Sequence, residues 1–228
     1  LRLAEAGANV MISYLHRRSA AEETVQAMAA FGVEAKAVKA NLAEPDDVPP
    51  IFDEIAKTWG RLDILVSNAA SGVLKPAMDI TPRHFHWTMD INVVAFLHLV
   101  QQAVKLMAEQ GGKIVAVSSL GAVRALPFYT AVGASKAAVE SVVRHLAVEL
   151  APRHINVNAV SAAVVETDAL KFFPNREEMV THTLHHSPVG RLVGPRDIAD
   201  AVLFLVSPLA DSVVGHTLVA DGGYSIVA

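Results

Sequence analysis

Residues 113–136 read KIVAVSSLGAVRALPFYTAVGASK. Its opening, Lys113–Val117, is the apolar, β-branched run of a strand covered on both faces, and a serine-glycine break follows. From about Phe128 to Ala151 the apolar and small residues then recur at helical spacing. Strand, turn and helix in that order make the repeating unit of a parallel sheet. The alternation continues on both sides. Upstream come an apolar run at Asn9–Tyr14, a helix at Ser19–Phe31, a run at Glu34–Ala40, a helix at Pro45–Trp59, a strand at Leu62–Val66 and a helix at Thr81–Glu109. Downstream come a strand at Ile155–Val160, a polar segment at Glu166–Val193, a helix at Pro195–Ser207 and a strand at His216–Ala220. Residues 1–228 therefore read as one α/β domain built on a doubly wound parallel sheet.

Composition narrows the partners. Hydrophobic residues make up 52% of the chain, yet charges interrupt every apolar stretch before the roughly 18 residues that a membrane span needs. A net charge of −4 offers no electrostatic footprint for nucleic acid or an anionic membrane, which leaves small molecules. The absence of cysteine excludes disulfides, thiolate metal sites and thiol nucleophiles, and it suits a reducing cytoplasm. His182, His185 and His186 lack an HExxH pattern or convergent carboxylates, so no metal is expected and they read as an exposed helix face.

In open parallel sheets, ligands bind beyond the carboxyl ends of the strands. The segments there are SYLHRR (13–18), KANL (39–42), VSNAAS (66–71), VSSLG (117–121) and VSAAVVETD (160–168). Together with YTAVGASK (129–136) and VADGG (219–223), they resemble the short-chain dehydrogenase/reductase family in order and spacing over essentially the whole chain. The resemblance implies a Rossmann-type sheet binding NAD(H) or NADP(H), with residues 166–193 covering substrate. The family's first strand and its glycine-rich TGxxxGxG turn have no counterpart, because Leu1–Gly7 (LRLAEAG) reads as the end of the helix that follows them. Gly111-Gly112 is no substitute, since it precedes a strand. The corresponding strand would lie mid-sheet. The expectation is an N-terminally incomplete domain, with poor folding and little activity if the 228 residues are the entire protein.

Hydride transfer leaves negative charge on a substrate oxygen, so the chemistry needs a positioned acid or oxyanion donor. Tyr129 and Lys136 answer that need. Their spacing of seven is about two helical turns, roughly 10 Å along the axis on one face. Lys136 is expected to favour an ionised or strongly donating Tyr129, and the resemblance adds that it binds the nicotinamide ribose. The plainer alternative is a helix-start aromatic and a solvated cation. The family's commonest tyrosine lies four residues before the lysine, where this chain has Val132. A tyrosine seven before it resembles the enoyl-(acyl-carrier-protein) reductase branch, in which the oxygen lies two carbons beyond the one that receives hydride. That branch usually carries another tyrosine where this chain has Ser119, and Ser119 also matches the serine of the family's carbonyl reductases. The mixture looks most like enoyl-(acyl-carrier-protein) reductase III, the NADPH-using variant.

The resemblance further marks Asn92, within the apolar MDINVVAFLH, as binding a water that leads to the lysine. Asn41, Leu42, Asn68, Ala69 and Ala70 match adenine-side and ribose-side cofactor contacts, and Val165 and Thr167 match the carboxamide and phosphate end. Ala162-Ala163 replaces the commoner Pro-Gly. No acid follows the first apolar run to meet a ribose 2′-hydroxyl, whereas Arg17 and Arg18 suit a 2′-phosphate, so NADPH is expected over NADH. Phe172, Phe173, Met179 and Leu184 either meet an acyl chain or pack on the sheet. The expected reaction is reduction of the double bond of a trans-2-enoyl thioester, on acyl carrier protein or CoA, as in fatty acid synthesis. Carbonyl reduction is the alternative, and a non-catalytic scaffold that has lost cofactor binding is the reading from another class. Apolar residues beyond one stripe, among them Val93, Val94, Phe96, Leu97, Val142, Val143, Leu146 and Val148, imply a second covered face, and the family resemblance makes it a homotetramer interface.

Overall fold

The computed structural model describes residues 1–107 and 111–227. In chain order, the named elements are α1 (Arg2–Glu5), β1 (Val10–Tyr14), α2 (Arg18–Ala29), β2 (Ala35–Lys39), α3 (Val48–Trp59), β3 (Ile64–Ser67), α4 (Pro82–Met89) and α5 (Ala95–Leu106). After them come β4 (Gly112–Val117), α6 (Thr130–Leu150), β5 (Ile155–Ser161), α7 (Arg176–His186), α8 (Pro195–Val206) and β6 (Thr217–Val219). Every strand pairing is parallel.

The strands sort their side chains by alternation. Ile114 and Ala116 of β4, with Ile155, Val157 and Ala159 of β5, face a core closed by α3, α5 and α6. Val115 and Val160 face the other way, onto Val202, Leu205 and Val206 of α8. Two covered faces explain why these strands are largely apolar on both sides. Helix α3 shows how the helices dock: Val48, Ile51, Phe52 and Ile55 fall at i, i+3, i+4 and i+7 and are all buried. Each such side chain contributes about 1.5–3 kcal/mol of burial. Gly60, in the left-handed region at φ 71°, ends the helix.

The sheet departs from a single continuous one. Strands β1 and β2 form one piece, and β3-β4-β5-β6 form another. A cavity of about 1700 Å³ runs between them, lined by Val10–Ser13 on one side and Ile64–Ser67 on the other.

Two helices also differ from their expected bounds. The helix expected from Thr81 to Glu109 begins with Thr81 as its cap, accepting a hydrogen bond from the His84 N–H. It widens into a π turn at Asp90–Val94 and resumes as α5, while Glu109 lies outside the described residues. The helix expected from Phe128 starts at Thr130, because Phe128 sits at φ 62° and Tyr129 at φ −110°, ψ 8°. The polar segment holds a short 3-10 turn at Asp168–Phe172 and then α7. Among the described residues no helix is long and apolar enough to cross a membrane.

Candidate active site

The carboxyl ends of β3, β4 and β5 open onto the cavity. Ser118 and Ser119 follow β4 with different roles. The buried Ser118 hydroxyl donates to Glu140 of α6 at 2.5 Å, which ties strand to helix. Ser119 lines the cavity and accepts from the Gly121 N–H at 3.2 Å, shaping the turn.

Tyr129 caps α6 from outside its first turn. Its ring fills the place where Gly121 would carry a side chain, since a β-carbon there would stand 2.4 Å from the Tyr129 ring. Phe173, from the segment that covers the cavity, stacks on the same ring at 5.9 Å and 24°. Burial pushes the Tyr129 phenol up, and a side-chain hydrogen bond with Ser119 opposes that. Tyr129 is therefore a neutral donor.

Lys136 lies two turns into α6, 7% exposed, and its ammonium donates to the Val117 carbonyl at 2.7 Å. Burial lowers its pKa to about 8. Burial is the main perturbation of both groups. Val132, in the tyrosine position of the family's commonest form, is buried against Gly72.

Asn92 sits in the π turn, 4% exposed, with both its amide donors engaged. Its amide donates to the Ser71 carbonyl at 2.8 Å and the Ser135 hydroxyl at 2.9 Å, and its oxygen accepts from the Ser71 N–H at 3.0 Å. The extra residue of a π turn aims this amide out of helical register, a common device beside functional sites. Asn92 thus clamps the loop after β3 onto α6, one residue before Lys136.

Of the residues expected at a cofactor, Leu42, Asn68, Ala69, Val165 and Thr167 line the cavity with Ser119 and Tyr129. Lys136, Ala70, Asn41, Arg17 and Arg18 stand outside its wall. Asn41 is occupied locally, its side chain accepting from the Ala43 N–H at 3.2 Å and its own N–H donating to Asp47 at 2.8 Å. Arg17 is exposed, 3.9 Å from Asp168, while Arg18 opens α2 and bonds Glu22 at 2.8 Å. The motif reading passed over Leu126, Pro127 and Tyr224, which also line the cavity. The glycine pair at 222–223, a turn signal, was the available pointer to Tyr224.

The donor set suits a nicotinamide dinucleotide in part. The buried Lys136 ammonium has three donors and, among the described residues, one protein acceptor, which leaves two N–H groups for ribose hydroxyls. Arg17 and Arg18 present exposed guanidinium groups after β1, each already facing a carboxylate. Among the described residues no glycine-rich turn follows a strand beside the middle of the cavity.

A family model described as Enoyl-(Acyl carrier protein) reductase matches residues 1–225. The chain is 43% identical over 230 residues to 1-cyclohexenylcarbonyl-CoA reductase of Streptomyces collinus, covering 100% of this chain and 82% of that protein. Among solved structures, a 7α-hydroxysteroid dehydrogenase complexed with NADH and 7-oxo glycochenodeoxycholic acid superposes with a TM-score of 0.89 at 35% identity, covering 96% of this chain and 86% of that one. An enoyl-(acyl-carrier-protein) reductase from Anaplasma phagocytophilum in complex with NAD gives 0.87 at 30% identity, covering 100% and 85%. The chain belongs to the short-chain dehydrogenase/reductase family of oxidoreductases, within the group whose family model is described as enoyl-(acyl carrier protein) reductase.

Proposed function

We propose that the protein reduces the carbon–carbon double bond of a trans-2-enoyl thioester with NADPH. The observation that carries this reading is the pair of positions on α6: a phenol at Tyr129 on the cavity wall, and a buried aliphatic Val132 where a ketone-reducing tyrosine would stand. A ketone's oxygen sits on the carbon that accepts hydride, whereas an enoyl thioester's oxygen is two carbons away. A donor one helical turn further from Lys136 suits the second geometry. The name of the Streptomyces relative, an enoyl-type CoA reductase, supports a thioester and favours CoA as its carrier, with acyl carrier protein the other choice.

A reduced nicotinamide, when bound, would supply the hydride that the β-carbon accepts. Tyr129 donates to the thioester oxygen as negative charge gathers there, and its buried neutral state makes it a hydrogen-bond donor throughout. Lys136 holds ribose hydroxyls, Ser119 orients Tyr129, and Asn92 fixes the loop after β3 against α6. Phe173, Leu170 and Met179 close the cavity over an acyl chain. Arg17 and Arg18 select the 2′-phosphate. The exposed Val94, Leu97 and Val148 give α5 and α6 a second apolar face, for assembly into a homotetramer.

Crotonyl-CoA and acetoacetyl-CoA, each supplied with NADPH, test the reaction class. Turnover of crotonyl-CoA is expected, and turnover of acetoacetyl-CoA alone overturns it. The second reading, carbonyl reduction, is favoured by one observation: Ser119 lines the same cavity as Tyr129, as a carbonyl-polarising serine would. A scaffold without cofactor binding predicts no change in NADPH fluorescence on titration.

A further inference from the structure

Reduction of an enoyl thioester needs two new bonds to hydrogen, one at the β-carbon and one at the α-carbon. Tyr129, placed at the thioester oxygen, does not account for the second. Across the same cavity stands another phenol. Tyr224 lines it with Phe173, Met179 and His182, and its hydroxyl lies 3.0 Å from His182 Nδ1.

This phenol is held from several sides. The buried Asp221 carboxylate accepts from the Gly223 N–H at 2.9 Å and the Ser225 N–H at 2.8 Å, folding the turn that carries Tyr224. Arg124, from the loop between Ser119 and Tyr129, donates to the Ser225 carbonyl at 2.9 Å. The end of α7 docks on the same turn through the Val189 N–H to the Gly222 carbonyl at 3.3 Å. Pro188 approaches Gly223 so closely that a β-carbon there would stand 2.9 Å from its ring.

His182 is equally placed. Its ring stacks on His186 at 3.9 Å and meets Tyr224 edge-on at 5.9 Å. His186 Nδ1 lies 2.8 Å from the His182 carbonyl, which can only accept, so the His186 proton sits on Nδ1. Besides these two groups, Glu178 one turn earlier on α7 faces the cavity, and His182 itself is exposed to solvent.

We propose that Tyr224, reloaded by His182, is the acid that protonates the α-carbon; the proposal rests on the enoyl reading. The C–H bond at the α-carbon forms as the Tyr224 O–H bond breaks. The proton on His182 Nδ1 passes to the phenolate oxygen, and His182 regains a proton from solvent. One proton from water thus joins one hydride, and the two electrons come from NADPH.

The experiment uses the full-length protein with NADPH and a trans-2-enoyl-CoA in D₂O. Wild type is expected to place one deuteron on a single face of the α-carbon. Tyr224→Phe is expected to keep its melting temperature and KM, to lose about 100-fold or more in kcat, and to scatter deuterium over both faces. His182→Gln, which leaves the phenol in place, is expected to lower kcat while retaining the single face. A readout independent of turnover is the His182 ring NMR signal, expected to move in Tyr224→Phe. A Tyr224→Phe variant with wild-type kcat and wild-type deuterium placement, or an unmoved His182 signal, overturns the proposal but not the enoyl reading. Absence of enoyl reduction by wild type overturns both.

Discussion

A methyl of Val132 fills the space in which Gly72 would carry a side chain, since a β-carbon on Gly72 would lie 2.3 Å from Val132 Cγ2. The two positions share one volume. Gly72→Ala is expected to cost about 1–3 kcal/mol by overpacking, and Val132→Ala a similar amount by leaving a cavity. The double variant is expected to cost less than the sum, because each change relieves the other. Urea unfolding of the four proteins measures the coupling, and strict additivity would refute the shared volume. The same packing predicts that Val132→Tyr destabilises the protein without creating a ketone reductase.

Tyr129→Phe keeps the ring that stacks on Phe173 and packs over Gly121 and removes only the hydroxyl. Folding is expected to be unchanged, while kcat for the enoyl thioester falls about 10²–10⁴-fold. Stopped-flow turnover with NADPH in excess checks this, and a loss confined to KM would contradict it.

Lys136 carries a pH signature in stability. Its folded pKa is about 8 against an ordinary 10.5, a difference worth about 3 kcal/mol. Below pH 8 the amine is charged whether folded or not, and its burial is a net cost. Between about 8 and 10.5 the unfolded chain holds the proton that the folded chain has released, so stability rises with pH, and above 10.5 the cost is gone. Lys136→Met is therefore expected to be more stable than wild type at pH 7, and inactive, with the advantage shrinking toward pH 10.5. Urea midpoints across that range measure it.

The arginines at 17 and 18 are both exposed and each faces a carboxylate, Asp168 and Glu22. Replacing both by alanine is expected to weaken NADPH binding about 10–100-fold and to leave NADH binding nearly unchanged. Fluorescence titration of both nucleotides reads the difference, and equal losses would remove the 2′-phosphate assignment.

Much of this architecture was legible from periodicity. The apolar runs became β1 to β6 within a few residues, because strands covered on both faces are mostly apolar, while β2 carries its two lysines on exposed positions. The start of α6 was less readable. Phe128 adopts a positive φ, which an aromatic rarely does, and tertiary packing of Tyr129 against Gly121 and Phe173 sets that corner. The π turn around Asn92 was equally hidden, since the stretch from Ile91 to Leu99 is apolar at most positions and a one-residue shift of register opens no gap in it. At the site, motif order pointed to Ser119, Tyr129 and Lys136, but it could not show that Ser118 is spent on Glu140 or that Asn92 bonds Ser71 and Ser135. Those are long-range bonds. Nor did it reveal Tyr224, which meets His182 across 42 residues.

Asn92 joins the loop after β3 and the catalytic helix into a single part. Its amide reaches Ser71 on the loop and Ser135 on α6, next to Lys136. A side chain too short to span the two would leave the Ser71 carbonyl and the buried Ser135 hydroxyl without this donor, so the footing of the lysine depends on a residue that need not touch it.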